Sequence, residues 1–336
     1  MMDNVLMAVG NTPLVRLRRV FGDIPFRLYA KLESLNPGGS MKDRPALWII
    51  RDGIERGLIR PGHTVVVESS SGNMGIGLAQ VCSYFGLRFI CVIDPKTTDQ
   101  NRRLLEVYGA EIDLVAEPDP VSGEYLQARI NRVQSLLASY PSTFWPNQYA
   151  NLLNPRAHRQ TMVEILRALD GKLDYLFCAT STCGTLRGCA EYIREHGLAT
   201  KLYAVDARGS VIFGGQEKQK RLIPGHGAAV RPDLFHEQLA DGCVHVTDIE
   251  CVVGCRRLVK SESILAGGSS GAVVMAIDHV RGEIPPGSNC VAILPDRGER
   301  YLDTIYCDAW VAAHLGPDPR AANPTEEAQA CLTVTF

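Results

Sequence analysis

Four short stretches of the chain hold residues that could do chemistry together. The first is the loop Asn36-Pro37-Gly38-Gly39-Ser40-Met41-Lys42, which runs into a helical pattern near Asp43. A lysine at such a junction can form a Schiff base with an aldehyde once burial or a neighbouring charge lowers its pKa. The same spacing also suits an ordinary surface lysine near a helix start. The second stretch is Glu68-Ser69-Ser70-Ser71-Gly72-Asn73-Met74-Gly75. Free N–H groups at a helix start bind anions such as a carboxylate, the serine hydroxyls add donors, and Asn73 could bond a phenolic oxygen. A plain Ser/Asn helix cap reads the same way.

The third stretch is Thr180-Ser181-Thr182-Cys183-Gly184-Thr185, a hydroxyl-rich turn between a strand pattern and a helix pattern. Backbone N–H groups and hydroxyls there make a cradle for a phosphate without a lysine. It is neither a Walker A loop nor a G-x-G-x-x-G dinucleotide fingerprint. The fourth is Ala266-Gly267-Gly268-Ser269-Ser270-Gly271, ahead of an Ala/Val-rich helix. It reads as a helix cap, or as a hydroxyl set to meet a neutral pyridine nitrogen.

These loops need a frame. Apolar, β-branched runs at 64–68, 88–93, 111–115, 174–179, 201–206 and 290–294 read as buried strands. Helical patterns lie between them at 75–85, 101–108, 123–137, 158–169, 184–196 and 271–280. The alternation predicts an α/β fold with parallel sheets covered on both faces, and ligands beyond the carboxyl ends of the strands. At 336 residues the chain suits two domains or one large α/β domain. A formal net charge of -2, from 35 Lys+Arg against 37 Asp+Glu, argues against a nucleic-acid surface. No apolar run approaches the roughly 20 residues of a membrane span, and the N-terminus has no signal-peptide pattern. Most of the 11 cysteines sit in apolar segments, and Cys251 and Cys255 have no second pair at zinc-ligand spacing. These features predict reduced packing cysteines, a cytoplasmic protein and no metal site. Residues 317–336 read as a loosely held tail.

Taken in order, the loops resemble the cysteine synthase/cystathionine β-synthase family of fold-type II pyridoxal-phosphate enzymes. Asn11-Thr12-Pro13-Leu14-Val15-Arg16-Leu17 and Leu294-Pro295-Asp296-Arg297-Gly298-Glu299-Arg300-Tyr301-Leu302 add to the match. The resemblance implies a fold like the tryptophan synthase β-subunit, with two three-layer αβα domains and mostly parallel sheets. Residues 1–41 plus 150–316 would form the large domain, and 42–149 a smaller mobile one. It implies pyridoxal 5'-phosphate as cofactor, with Lys42 holding its aldehyde and moving the Cα proton. Asn73 would bond the phenolic oxygen. Ser181, Thr182, Cys183, Gly184 and Thr185 would hold the phosphate, although the family's cup usually carries more glycine. Ser269 would face the pyridine nitrogen. Ser70, Ser71, Gly72 and Asn73 would hold the substrate carboxylate, and a homodimer is usual.

Asp94-Pro95-Lys96, the stretch from Gly123 to Arg129, Asn147-Gln148-Tyr149-Ala150-Asn151 and Ser210-Val211-Ile212-Phe213-Gly214 are similar to the branch that serves 2,3-diaminopropionate biosynthesis, as in siderophore pathways. His226 departs from the Pro-Gly-Ile-Gly expected there. That branch joins O-phospho-L-serine to L-glutamate and releases phosphate. A phosphorylated donor calls for an arginine. Arg129 is the first candidate and Arg297 the second, with hydroxyls from Tyr149 and Ser181. A cysteine synthase using O-acetylserine or O-phosphoserine with sulfide is the nearest alternative. A cofactor-free binding protein on the same fold is the remote one.

Overall fold

A computed structural model describes residues 2–214 and 221–316. The strands in chain order are β1 (Leu14–Leu17), β2 (Arg27–Leu32), β3 (Val65–Ser69), β4 (Arg88–Ile93), β5 (Glu111–Leu114), β6 (Thr143–Phe144), β7 (Tyr175–Ala179), β8 (Lys201–Ala207), β9 (Gly242–Val246) and β10 (Asn289–Leu294). The helices are α1 (Asp43–Glu55), α2 (Asn73–Tyr84), α3 (Asp99–Val107), α4 (Tyr125–Ser139), α5 (Leu153–Ala168), α6 (Gly184–Glu195), α7 (Asp248–Glu262), α8 (Gly268–Val280) and α9 (Asp308–Leu315).

Among the described residues they form two sheets. One has six strands in the order β1-β2-β10-β7-β8-β9, and the other four in the order β5-β4-β3-β6. Only the β1–β2 pair is antiparallel. The central strands β3, β4, β7 and β10 are buried on both faces, which is why they read as continuous apolar runs. In the larger sheet Phe177, Cys290, Ala292 and Leu294 pack with α7 and α8, while Leu176, Cys178, Val291 and Ile293 pack with α5 and α6. In the smaller sheet Val66, Phe89, Cys91 and Ile93 face α1 and α2, and Val65, Val67, Ile90 and Val92 face α4. The period of two along each strand divides the cores into these layers. No described helix is long and apolar enough to cross a membrane. The C-terminal segment read as a tail lies outside the described residues from 317 onward.

Several elements lacked a clear signal in the sequence. β2 reads Arg-Leu-Tyr-Ala-Lys-Leu, and its Lys31 is only 1% exposed. Helix α7 falls outside the helical patterns read from the sequence, although Thr247 and Glu250 form a capping box at its start. The glycines of the 266–271 stretch serve packing as well as the loop. A side chain on Gly271 would strike Cys251 O of α7, and one on Gly267 would strike the Asp296 carboxylate.

Lys31 belongs to a buried ionic network at the start of α1. Arg44 grips Glu33 with Nε at 2.7 Å and Nη2 at 2.8 Å. The same guanidinium reaches Glu164 of α5 with Nη1 at 2.8 Å and Nη2 at 2.7 Å. Lys31 Nζ donates to Glu164 at 2.6 Å, and Asn11 N–H donates to Glu164 at 2.9 Å. Two cations face two anions, so the buried charges balance. Burial raises the pKa of Glu164, but the bonds from Arg44 and Lys31 outweigh it and hold the carboxyl at about 2. Its stabilisation is therefore complete above about pH 4.5, the ordinary carboxyl value, and is lost as pH falls towards 2. Arg44→Ala leaves the buried Glu33 without its cation and Glu164 with Lys31 alone, and should cost about 3–5 kcal/mol in urea unfolding at pH 7. A loss under about 1 kcal/mol would remove the network from the stability of the fold.

Candidate active site

The carboxyl ends of β2, β3 and β7 deliver three of the loops to one place, and the fourth, between α7 and α8, is tied to the turn that follows β10. The loop after β2 is fixed by Asn36, whose Oδ1 accepts from Gly10 N–H at 2.8 Å and whose Nδ2 donates to Glu33 O at 2.8 Å. Gly39 takes φ +85°, a left-handed turn that favours glycine. The loop then runs antiparallel to the residues after β10, with Met41 N–H donating to Pro295 O at 2.8 Å and Arg297 N–H to Gly39 O at 3.2 Å. Lys42 follows as the residue before α1. Burial lowers its amine to about 8, against the raising pull of Cys183 and Asp296. The amine thus lies near the cup after β7 and the turn after β10.

The loop after β3 opens α2. Ser70 Oγ accepts from Gly75 N–H at 2.9 Å and Gly72 N–H at 3.4 Å, so this serine acts as the helix cap. Ser71 is held twice: its Oγ accepts from Arg129 Nη1 at 2.7 Å, and its carbonyl accepts from Asn101 Nδ2 at 3.1 Å. Asn73 donates to Asp296 Oδ2 at 2.7 Å, and its own oxygen accepts from Arg300. The N–H groups of Ser71, Asn73 and Met74 carry no hydrogen bond to another described residue.

The cup after β7 has Cys183 as the N-cap of α6 with φ +63°. That conformation costs a non-glycine residue roughly 1–2 kcal/mol. Gly184 has no room for a side chain, because Asn154 of α5 lies against it. Asn154 donates to Gln148 O at 2.8 Å and to Thr182 Oγ1 at 3.4 Å, while Thr185 Oγ1 and His158 Nε2 are 3.3 Å apart. Burial, with Lys42 and Arg44 nearby, holds His158 well below the usual histidine pKa, so the ring is neutral. Thr182, Cys183 and Thr185 are buried, yet their N–H groups and that of Ser181 have no protein acceptor among the described residues. Such a ring of orphan donors is what a phosphate satisfies. At the start of α8, Ser269 is 7% exposed and the wholly buried Ser270 Oγ has no partner. Gly267 N–H ties this turn to Asp296 O at 3.1 Å.

These residues fit the cofactor expected from the motifs. A lysine of lowered pKa stands near a buried cup of free N–H donors, with Asn73 and the 267–270 turn joined through Asp296. Asp296 had only a motif signal in the sequence. Its Oδ2 also accepts from Tyr301 OH at 2.5 Å, and burial raises its pKa. Arg300 lies in the same motif, whereas Asn154 and His158 gave no local signal, because they meet the site only in three dimensions.

The two candidate arginines differ. Arg129 is buried, donates to Ser71 and pairs with Asp94 at 3.2 Å. Tyr149 lies near it: burial raises the phenol's pKa, and Arg129 draws it down against Glu68 and Asp94. Glu68, raised to about 7 by burial, accepts from Trp145 Nε1 at 3.2 Å and Gln148 N–H at 3.2 Å. Arg297 instead donates Nε to Ser34 O at 2.8 Å and packs over Gly39. Its side chain is engaged with the lysine loop, whereas Arg129 braces the serine loop.

The lowered amine gives a pH test. Lys42 becomes neutral, and so nucleophilic, as pH rises through about 8. Capture of pyridoxal phosphate by the cofactor-free protein, followed by its visible band, should therefore speed up with pH and level off above about 8. A rate still climbing towards 10.5, the ordinary lysine value, would show that burial does not tune this amine.

Comparison with known proteins agrees with the motifs. The family model described as pyridoxal-phosphate dependent enzyme matches residues 5–296. The N-(2-amino-2-carboxyethyl)-L-glutamate synthase of Ralstonia nicotianae is 45% identical over 327 residues, covering 96% of each chain. The enzyme of the same name from Cupriavidus metallidurans is 46% identical over 330 residues, again covering 96% of each. The solved structure of O-ureido-L-serine synthase superposes with a TM-score of 0.84 at 32% identity, covering 93% of this chain and 99% of that one. With a family model spanning most of the chain and relatives this similar along nearly all of it, the chain belongs to the pyridoxal-phosphate dependent enzyme family, and its cofactor is pyridoxal 5'-phosphate.

Proposed function

We propose that this enzyme joins O-phospho-L-serine to L-glutamate, forming N-(2-amino-2-carboxyethyl)-L-glutamate and phosphate, as a step towards 2,3-diaminopropionate. The observation that carries the donor assignment is Arg129, a buried guanidinium braced on Ser71 in the serine loop. The names of the two relatives at 45% and 46% identity support the same reaction. A guanidinium suits a phosphate leaving group, since its fork bonds two oxygens at once. An acetyl leaving group has no need of that charge.

In this reading Lys42 holds the aldehyde, and the N–H groups of Ser181, Thr182, Cys183, Gly184 and Thr185 hold the cofactor phosphate. Asn73 and Ser269 hold the two polar edges of its ring. The cofactor, when bound, withdraws electrons from the donor's Cα. Ser71, Gly72 and Asn73 hold the donor carboxylate, with Ser70 shaping their loop. Once the donor's amine has replaced it on the aldehyde, the freed, neutral Lys42 amine takes the Cα proton. The Cβ–O bond then breaks, and phosphate leaves towards Arg129, Tyr149 and Ser181. The amine of glutamate adds to Cβ, and Lys42 returns a proton to Cα. Arg297 serves the lysine loop through Ser34. The enzyme works as a homodimer in the cytoplasm. The ten described cysteines are all free, which suits a reducing compartment.

Arg129→Ala should keep the cofactor's visible band and lose at least a hundredfold in kcat/KM for O-phosphoserine. Product identified by mass, with glutamate or sulfide as acceptor and O-phosphoserine or O-acetylserine as donor, checks the assignment. Turnover only with O-acetylserine and sulfide would make the protein a cysteine synthase. Full activity of Arg129→Ala would remove Arg129 from the site.

A further inference from the structure

A second cation borders the cup, and the donor chemistry does not use it. Arg221 is half-buried, and among the described residues its side chain makes a single hydrogen bond, from Nη1 to His226 O at 3.2 Å. It has no ion pair among the described residues. Asp206, Asp248 and Glu124 lie near enough to act on its charge. Two of these carboxylates are already occupied. Asp206 accepts from Thr180 Oγ1 at 2.9 Å, Ala207 N–H at 2.9 Å and Phe213 N–H at 3.3 Å. Asp248 accepts from Leu222 N–H at 2.7 Å. The third, Glu124, is the N-cap of α4, the helix that carries Arg129.

The ring of His226 is 1% exposed, and neither nitrogen has a partner. Burial, helped by Arg221 and His245, holds it down at about 3, so it is a neutral imidazole with one N–H to donate. Its loop is pressed against the cup. Gly227 N–H donates to Thr180 O at 2.7 Å, one residue before Ser181. Gly227 has φ +68°, and a side chain there would come within 2.7 Å of Ala207 Cβ and 3.1 Å of Arg221 Nη1. The loop therefore sits at the carboxyl ends of β7 and β8, the edge of a parallel sheet where ligands bind.

Resting on the reaction given above, we propose that Arg221 and His226 receive the side-chain carboxylate of the acceptor amino acid. The two substrates are both anionic and arrive in turn. Arg129 belongs to the smaller-sheet side and takes the phosphate. A dicarboxylate acceptor then needs its own cation, and Arg221 offers one from the larger-sheet side with no carboxylate already paired to it. A guanidinium fork with an adjacent imidazole N–H matches a carboxylate. An uncharged side chain would leave the same groups buried and unpaired, which gives selectivity.

The test compares L-glutamate with L-glutamine as acceptor, using holoenzyme and saturating O-phosphoserine. Wild-type protein should favour glutamate in kcat/KM. Arg221→Ala should raise the glutamate KM at least tenfold and shrink the glutamate-to-glutamine preference by the same order, with the O-phosphoserine KM within twofold. Arg221→Lys should restore part of the preference, and His226→Ile should lose part of it. These two conservative variants keep the test open if Arg221→Ala does not fold. An unchanged preference in folded Arg221 variants overturns the proposal while leaving the reaction intact. Equal losses for both acceptors, matched by Glu124→Gln, would overturn it in favour of a latch between Arg221 and Glu124. Failure of the wild-type protein to make product from glutamate would sink the reaction itself, and this inference with it.

Discussion

Arg44 holds the site together without touching it. One guanidinium grips Glu33 after β2 and Glu164 on α5, two residues along the chain from Lys42. Helix α1 packs against both α2 and α5, so its first turn is a joint between the elements of the two sheets. A buried charge without a partner is costly, so this turn has few alternative positions. Apolar packing would allow α1 to slide by fractions of an ångström, but a guanidinium bonded to two carboxylates does not. The lysine that must meet a small aldehyde is fixed by an ionic network behind it.

Around that lysine, parallel strand geometry does the rest. Three loops of the site leave the carboxyl ends of β2, β3 and β7, so their free N–H groups and hydroxyls converge through sheet order, and the turn between α7 and α8 joins them through Asp296. Asp296 knits the result. Its carboxylate accepts from Asn73 and Tyr301, its carbonyl accepts from Gly267 N–H, and its charge acts on Lys42. The serine loop after β3, the lysine loop after β2 and the turn before α8 are therefore linked through one residue. The cup has no ionic brace of this kind. It depends on Asn154 wedged against Gly184 and on Thr185 beside a neutral His158.

Charge is distributed unevenly over the cleft. Near Arg129 burial raises the Glu68 carboxyl to about 7, and Asp94 is the anion that pairs with the guanidinium. Near Arg221, Asp206 accepts from backbone N–H groups and the Thr180 hydroxyl, and Asp248 accepts from a backbone N–H. Arg129 lies on α4 against the smaller sheet, and Arg221 lies in the segment between β8 and β9 of the larger one.

Local sequence determined much of this. Apolar runs separated by helical periods specified the parallel α/β frame, because a sheet covered on both faces needs such runs. Lys42, Asn73 and the 181–185 cup stood out because loop glycines, hydroxyls and a helix start lie within a few residues of one another. What the sequence did not show was decided at long range. Lys31 and Glu164 are 133 residues apart, and Asn73 and Asp296 are 223 apart, so no local pattern links them. The charge of Lys31 obscured β2 as a buried strand because its partner, Glu164, lies on α5. The choice between Arg129 and Arg297 also waited for the fold. Both are arginines near motif residues, but only tertiary packing sets one against Ser71 and Asp94 and the other on Ser34 O. Sequence chose the chemical groups, and the fold chose their partners, because the energy of a charge depends on what is buried beside it.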